Sequence, residues 1–100
     1  MVRGNLHKRL TEARAAVVSA RESLRILDEQ VAFQQGVADD AETRAVVAAT
    51  PLADRERRQA EEDLRRLQRQ RREVAERLRA LVAEQDELLE RLLEERTGAG

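Results

Sequence analysis

Side chains that could do chemistry are few and scattered in this 100-residue sequence. His7 is the single histidine, and there is no cysteine, so a soft metal site of histidine and cysteine ligands cannot be completed. No nucleophile with a neighbouring base and no glycine-rich phosphate loop is found. We therefore expect no enzymatic activity, no cofactor, no metal and no small-molecule substrate.

Acidic residues concentrate at Asp39, Asp40 and Glu42. Such a group could hold a divalent ion loosely, but Asp39 followed by Glu42 also has the spacing of a helix-capping box. We favour the capping role. Asp54 follows shortly after the single proline, Pro51, so a turn near that proline predicts an acidic tip.

The most basic run is 65–72, with five arginines, and alone it is typical of a nucleic-acid patch. These arginines spread around a helix, and neither tryptophan nor tyrosine is present to stack on bases. An acidic stretch, 28–42, is expected to lie opposite and partly neutralise them. We therefore do not expect nucleic-acid binding; contact with phosphate groups is the only form that the pattern supports.

Charged residues make up 39% of the chain, its net charge is −1, and Phe33 is the single aromatic. This composition is typical of long helices that pack along a thin seam. No apolar stretch approaches the ~18 residues of a membrane span, and the first ten residues do not resemble a signal peptide. We expect a cytoplasmic protein that does not bind membranes.

The first half of the sequence carries an unbroken heptad of small and aliphatic residues. This pattern is typical of one helix, about 5–49, in a coiled coil. Its seam positions are Leu6, Leu10, Ala13, Val17, Ala20, Leu24, Leu27, Val31, Gln34, Ala38, Ala41, Ala45 and Ala48.

Thr50 and Pro51 then predict the start of a second helix, about 51–96, because threonine caps helices and proline suits their first position. Residues 97–100 are expected to be a flexible tail. The second seam is Ala53, Arg57, Ala60, Leu64, Leu67, Arg71, Val74, Leu78, Leu81, Gln85, Leu88 and Leu92. We interpret its polar members, with Gln34, as residues that specify register.

Gly36 leaves two interpretations open. A glycine inside a helix costs ~1 kcal/mol relative to alanine, and a helix restarting at Asp39 would give three helices in all. We favour one continuous first helix, since the seam keeps its phase through Gly36. A kink there fits both interpretations.

Folding the chain back at Pro51 pairs Leu10 with Leu92, Ala13 with Leu88 and Ala38 with Leu64, so small residues face large ones. Charge favours the same arrangement. Segments 1–25, 26–54, 55–79 and 80–100 carry net charges of +4, −5, +4 and −4. In an antiparallel hairpin the first segment lies beside the fourth and the second beside the third, so opposite charges face each other. The predicted fold is therefore all-α, a long antiparallel two-helix coiled-coil hairpin forming one domain over 1–96.

Apolar residues also occur outside the seam, and wide apolar faces are typical of helices with more than one neighbour. They predict that two hairpins pair as a homodimeric four-helix bundle, or that another protein docks there. The predicted interface comprises Ile26, Phe33, Val37, Ala75, Val82 and Leu89. The predicted tip comprises Asp39, Asp40, Glu42, Val46, Val47, Leu52 and Asp54.

These patterns favour a non-enzymatic interaction or adaptor protein whose partner is itself or another protein. The alternative is a regulator of the transcription or translation machinery that presents the acidic tip. In shape and tip charge the chain is similar to the coiled-coil finger of some factors that enter the secondary channel of RNA polymerase, and the similarity extends no further.

Overall fold

The computed structural model describes residues 2–98, which form two long α-helices and no strand. Helix α1 spans Val2–Ala48 and helix α2 spans Pro51–Gly98. Both helices extend slightly beyond their predicted outer ends, because Thr97 and the residues before Asn5 continue the helical hydrogen bonding. Of the predicted tail 97–100, the last two residues lie outside the described part of the chain.

The two helices pack as two compact units. The terminal unit combines Met1–Ser23 with Val74–Gly100, and the turn unit is Leu24–Glu73. In each unit a segment of α1 lies antiparallel to a segment of α2. The predicted all-α, antiparallel helical hairpin is therefore confirmed.

A small core holds the terminal unit together. Leu6 and Ala13 of α1 pack with Leu88 of α2, and their side chains are 2%, 5% and 1% exposed. Leu10 and Leu92 pack against this cluster. The predicted pairs Leu10 with Leu92 and Ala13 with Leu88 thus lie in one cluster, in which the small Ala13 leaves room for Leu88.

The core of the turn unit is built from smaller side chains. Ala38 and Ala41 of α1 pack with Ala60 and Leu64 of α2, and Val31 and Val37 pack against them. The predicted pairing of Ala38 with Leu64 is confirmed. Three alanines in one cluster let the helix backbones approach closely, and little apolar area is buried in return.

Burial follows the predicted seams almost residue by residue. Every seam position on both helices is buried or half-buried except Ala48, which is exposed at the end of α1. The seam of α1 therefore ends at Ala45, one step earlier than predicted, since the chain leaves the helix immediately afterwards.

A two-residue connection, Ala49 and Thr50, reverses the chain. Ala49 adopts the left-handed conformation, with φ of 52°, and its N–H bonds to the carbonyl of Ala45 at 3.0 Å. The Thr50 hydroxyl accepts a hydrogen bond from the N–H of Ala53 at 3.1 Å, which caps α2 as predicted. Pro51 occupies the first helical position, where its missing N–H removes no helical bond.

Gly36 does not interrupt α1, so the prediction of one continuous first helix is confirmed. A Cβ atom built on Gly36 would meet nothing within 4 Å. The capping role predicted for Asp39 is wrong, because no helix begins there. Its carboxylate instead accepts a hydrogen bond from the Gln35 side chain at 3.0 Å, one turn earlier in the same helix.

Candidate functional site

An open apolar groove lies on the turn unit beside the seam. Phe33 is 73% exposed and Ile26 is 41% exposed. Val37, the third interface residue predicted on α1, is half-buried against the alanine core. The groove is lined by Ile26, Glu29, Gln30, Phe33, Gln34 and Leu67. Three apolar lining residues, Ile26, Phe33 and Leu67, could receive an apolar side chain of another molecule, and the other three lining residues are polar.

The surface next to the helix connection is apolar rather than acidic. Val46 is 77% exposed, Val47 is 79% exposed and Leu52 is 60% exposed. Val47 and Leu52 line one shallow groove together with Thr43, Arg44, Ala48, Thr50, Ala53 and Glu56. The residues closest to the chain reversal therefore offer aliphatic contact area that is bordered by one arginine and one glutamate.

The acidic residues of the predicted tip are not gathered at the connection. Asp39, Asp40 and Glu42 lie on α1 about six residues or more before its last residue, which is roughly 9 Å along the axis. The Thr43 hydroxyl donates to the backbone carbonyl of Asp39 at 3.1 Å. Among residues 2–98, no three histidine or carboxylate side chains are arranged to hold a metal ion.

Asp54, in the first turn of α2, is engaged by arginines. Arg57 donates to its carboxylate at 2.8 Å, and Arg58 lies at 3.6 Å. The hydrogen bond from Arg57 and the positive charges of both arginines hold the pKa of Asp54 below its ordinary value. Arg57 also donates to Glu61 at 3.0 Å, and its bonds to Asp54 and Glu61 raise its own pKa.

Two polar seam residues of the turn unit reach across to the opposite helix. Gln34 donates to the carbonyl of Ala60 at 3.2 Å, and Arg71 donates to the carboxylate of Asp28. The latter contact places one arginine of the basic run 65–72 against the acidic stretch of α1. Arg66 of the same run forms an ion pair with Asp63 at 3.6 Å.

The terminal unit carries its own apolar residues outside the seam. Ala75 and Val82 are half-buried and Leu89 is 44% exposed, so the line that they form along α2 is only partly covered. We call these three residues the outer stripe. Beyond its end, His7 and Arg96 line a groove with three leucines, Leu89, Leu92 and Leu93.

Sequence reasoning missed two exposed residues of the terminal unit. Val18 is 65% exposed on α1, and Leu93 is 49% exposed on α2. Both are apolar residues outside the heptad seam. The same criterion identifies the outer stripe, so the sequence alone contains the signal for these two residues. Leu93 lines the same groove as Leu89, so it widens the apolar area at the end of the outer stripe.

Comparison with known proteins gives no relative. No family model, curated protein or solved structure matches this chain. The surfaces of the two units are therefore the features from which a function can be inferred. No helix within residues 2–98 is both long and apolar enough to cross a membrane.

Proposed function

We propose that this chain is a non-enzymatic coiled-coil interaction module, which acts by self-association and by docking of a helical protein partner. One observation carries the proposal: large apolar side chains stay exposed although the seam between the helices is already filled. They are Val18, Ile26, Phe33, Val46, Val47, Leu52, Leu89 and Leu93.

The energetic argument is direct. Full burial of one large aliphatic or aromatic side chain is worth ~1.5–3 kcal/mol, so a few of these residues in one interface supply substantial binding energy. Helices that have a single neighbour need only one apolar stripe, whereas these helices carry residues beyond it in both units. A second protein surface is the means of covering them that the coiled-coil pattern supports best.

The acidic-tip alternative receives less support from the same geometry. Asp54 is the acidic residue nearest the connection, and two arginines neutralise its charge. The exposed residues near it include Val46, Val47 and Leu52, together with the charged Arg55, Glu56 and Arg58. A contact made through this end of the turn unit would accordingly combine apolar area with charges of both signs, rather than present an acidic tip.

The test is the molar mass of the purified chain, measured by light scattering and sedimentation velocity over a wide concentration range. We expect a dimer at high concentration that dissociates on dilution. The variant Leu89→Asp, which places a charge on the outer stripe, is expected to shift the mass towards monomer. The exposed Glu84→Asp serves as its control. A monomer at every concentration would remove self-association from the proposal.

A further inference from the structure

The outer stripe is part of a longer pattern on α2. Arg79 and Asp86 alternate with Ala75, Val82 and Leu89 at steps of four and three, so all five residues share one face of the helix. Arg79 and Asp86 are exposed. Neither forms an ion pair within the described part of the chain, so both charges are available to a partner.

This pattern is complementary to itself when reversed. An antiparallel copy of α2 centred on Val82 places Ala75 opposite Leu89, Arg79 near Asp86 and Val82 opposite its own counterpart. Ala75 then faces the larger Leu89, Val82 faces an identical residue, and Arg79 lies within about one residue of the level of the oppositely charged Asp86. A parallel copy in the same register would instead set Arg79 against Arg79 and Asp86 against Asp86, which is unfavourable.

We propose that the terminal unit binds the terminal unit of a second copy of this chain, with α2 antiparallel to α2 about a two-fold axis at Val82. This deepens the proposed function, on which it rests, by naming the partner, the face and the direction. The result is a four-helix bundle with an isologous interface, in which each copy contributes the same residues.

The neighbouring helix α1 borders the outer stripe. His7 shares a groove with Leu89, so the outer stripe and this side of α1 form one surface. Arg14 and Arg21 follow His7 at heptad intervals on that side, and both are exposed. A helix seated on the outer stripe therefore lies beside these two arginines as well.

Disulfide cross-linking tests the geometry against a clean background, since the native chain has no cysteine. On the two-fold axis, the variant Val82→Cys is expected to give a covalent dimer on mild oxidation. The variants Ala75→Cys and Leu89→Cys should each fail alone, because equivalent residues lie ~21 Å apart along the axis. A mixture of these two should cross-link, since the interface sets position 75 of one copy opposite position 89 of the other.

A charge exchange provides an independent measurement. Arg79→Glu and Asp86→Arg each place like charges together at two symmetric positions, and each is expected to weaken the dimer at least about tenfold. The double variant Arg79→Glu/Asp86→Arg restores opposite charges and should recover the affinity. Circular dichroism of each variant establishes that the helices remain folded.

The outcomes separate this inference from the proposed function. A dimer by mass that cross-links through Ala75→Cys alone as readily as through Val82→Cys is parallel and overturns the inference. A dimer by mass in which Val82→Cys forms no disulfide also overturns the inference, but it leaves the proposed self-association in place. A chain that is monomeric at every concentration overturns both.

Discussion

The Thr50 hydroxyl lies 3.1 Å from the backbone nitrogen of Ala53 and accepts its hydrogen bond, while the Thr50 carbonyl accepts the first helical bond of α2, from Asp54. Thr50→Ala leaves the N–H of Ala53 without its partner. We expect the free energy of unfolding to fall by about 1 kcal/mol. Urea denaturation followed by circular dichroism measures this, and Thr50→Ser, which keeps the hydroxyl, should retain most of the stability.

The other residue of the connection is predicted to respond in the opposite direction. Ala49 is held at φ of 52°, where a side chain costs an L-residue roughly 1–2 kcal/mol. Glycine has no such penalty but loses more chain entropy on folding, so Ala49→Gly should stabilise the hairpin by about 0.5 kcal/mol. The matched control Ala48→Gly lies in the last turn of α1 and should destabilise it instead. Equal destabilisation by both variants would contradict the left-handed conformation.

Gly36 gives a stabilisation test of a different kind. A Cβ atom at this position meets open space inside an uninterrupted helix. Gly36→Ala should therefore raise the free energy of unfolding by about 0.5–1 kcal/mol, through reduced entropy of the unfolded chain and better helix propensity. Thermal denaturation measures the change. A lower melting temperature would show that the glycine conformation is required there.

Stability and binding should separate between two large apolar residues. Leu88 is 1% exposed at the core of the terminal unit, so Leu88→Ala is expected to cost about 2–5 kcal/mol. Phe33 is 73% exposed, so Phe33→Ala should change stability by no more than about 0.5 kcal/mol. Chemical denaturation of both variants, side by side, checks the contrast. A large loss with Phe33→Ala would mean that the ring packs within the folded chain.

Asp54 makes the stability depend on pH. Because Arg57 holds its pKa below the ordinary value, the folded state prefers the ionised carboxylate. The resulting stabilisation is present above the pKa of the unfolded chain, and is lost as pH falls through the lowered pKa of the folded state. Asp54→Asn should thus be less stable than the native chain at neutral pH, and the gap should close in acid.

Urea midpoints of the native chain and of Asp54→Asn, measured from neutral to strongly acidic pH, report the difference in stability between them. Asp40→Asn is the matched control, because Asp40 is exposed and makes no ion pair within residues 2–98. The control removes a carboxylate without removing an arginine contact. If both variants behave alike, the Arg57 contact does not persist in solution.

Much of this fold could be predicted from the sequence because a heptad repeat reports burial directly. Leu88 and Ala13 were assigned to facing seams by spacing alone, and they lie together in the core. Thr50 and Pro51 likewise marked the start of α2, since both act through local backbone chemistry. Whether the first helix continues through Gly36 and Asp39 is harder to predict. Helix propensity and capping signals there are weak compared with the packing of the seam that precedes and follows them.

The surfaces could be predicted only in part. Spacing places Val82 one turn from two seam residues, Leu78 and Gln85, whereas Phe33 is one turn from none. Accordingly Val82 is half-buried and Phe33 is 73% exposed. The arginine contacts that neutralise Asp54 could not be predicted from spacing, since side-chain conformations decide which of several nearby carboxylates each guanidinium meets.

The two-residue connection also sets an order of events during folding. Contacts of the turn unit, such as Gln34 with the Ala60 carbonyl, close a short loop, whereas Ala13 meets Leu88 across most of the chain. The entropic cost of closing a loop grows with the length of chain enclosed. We therefore expect contacts between α1 and α2 to form first near Ala49 and Thr50, and then progressively towards the two chain ends. The terminal unit closes last. If the proposed dimer forms, we therefore expect each chain to complete its own hairpin before Val82 meets a second copy.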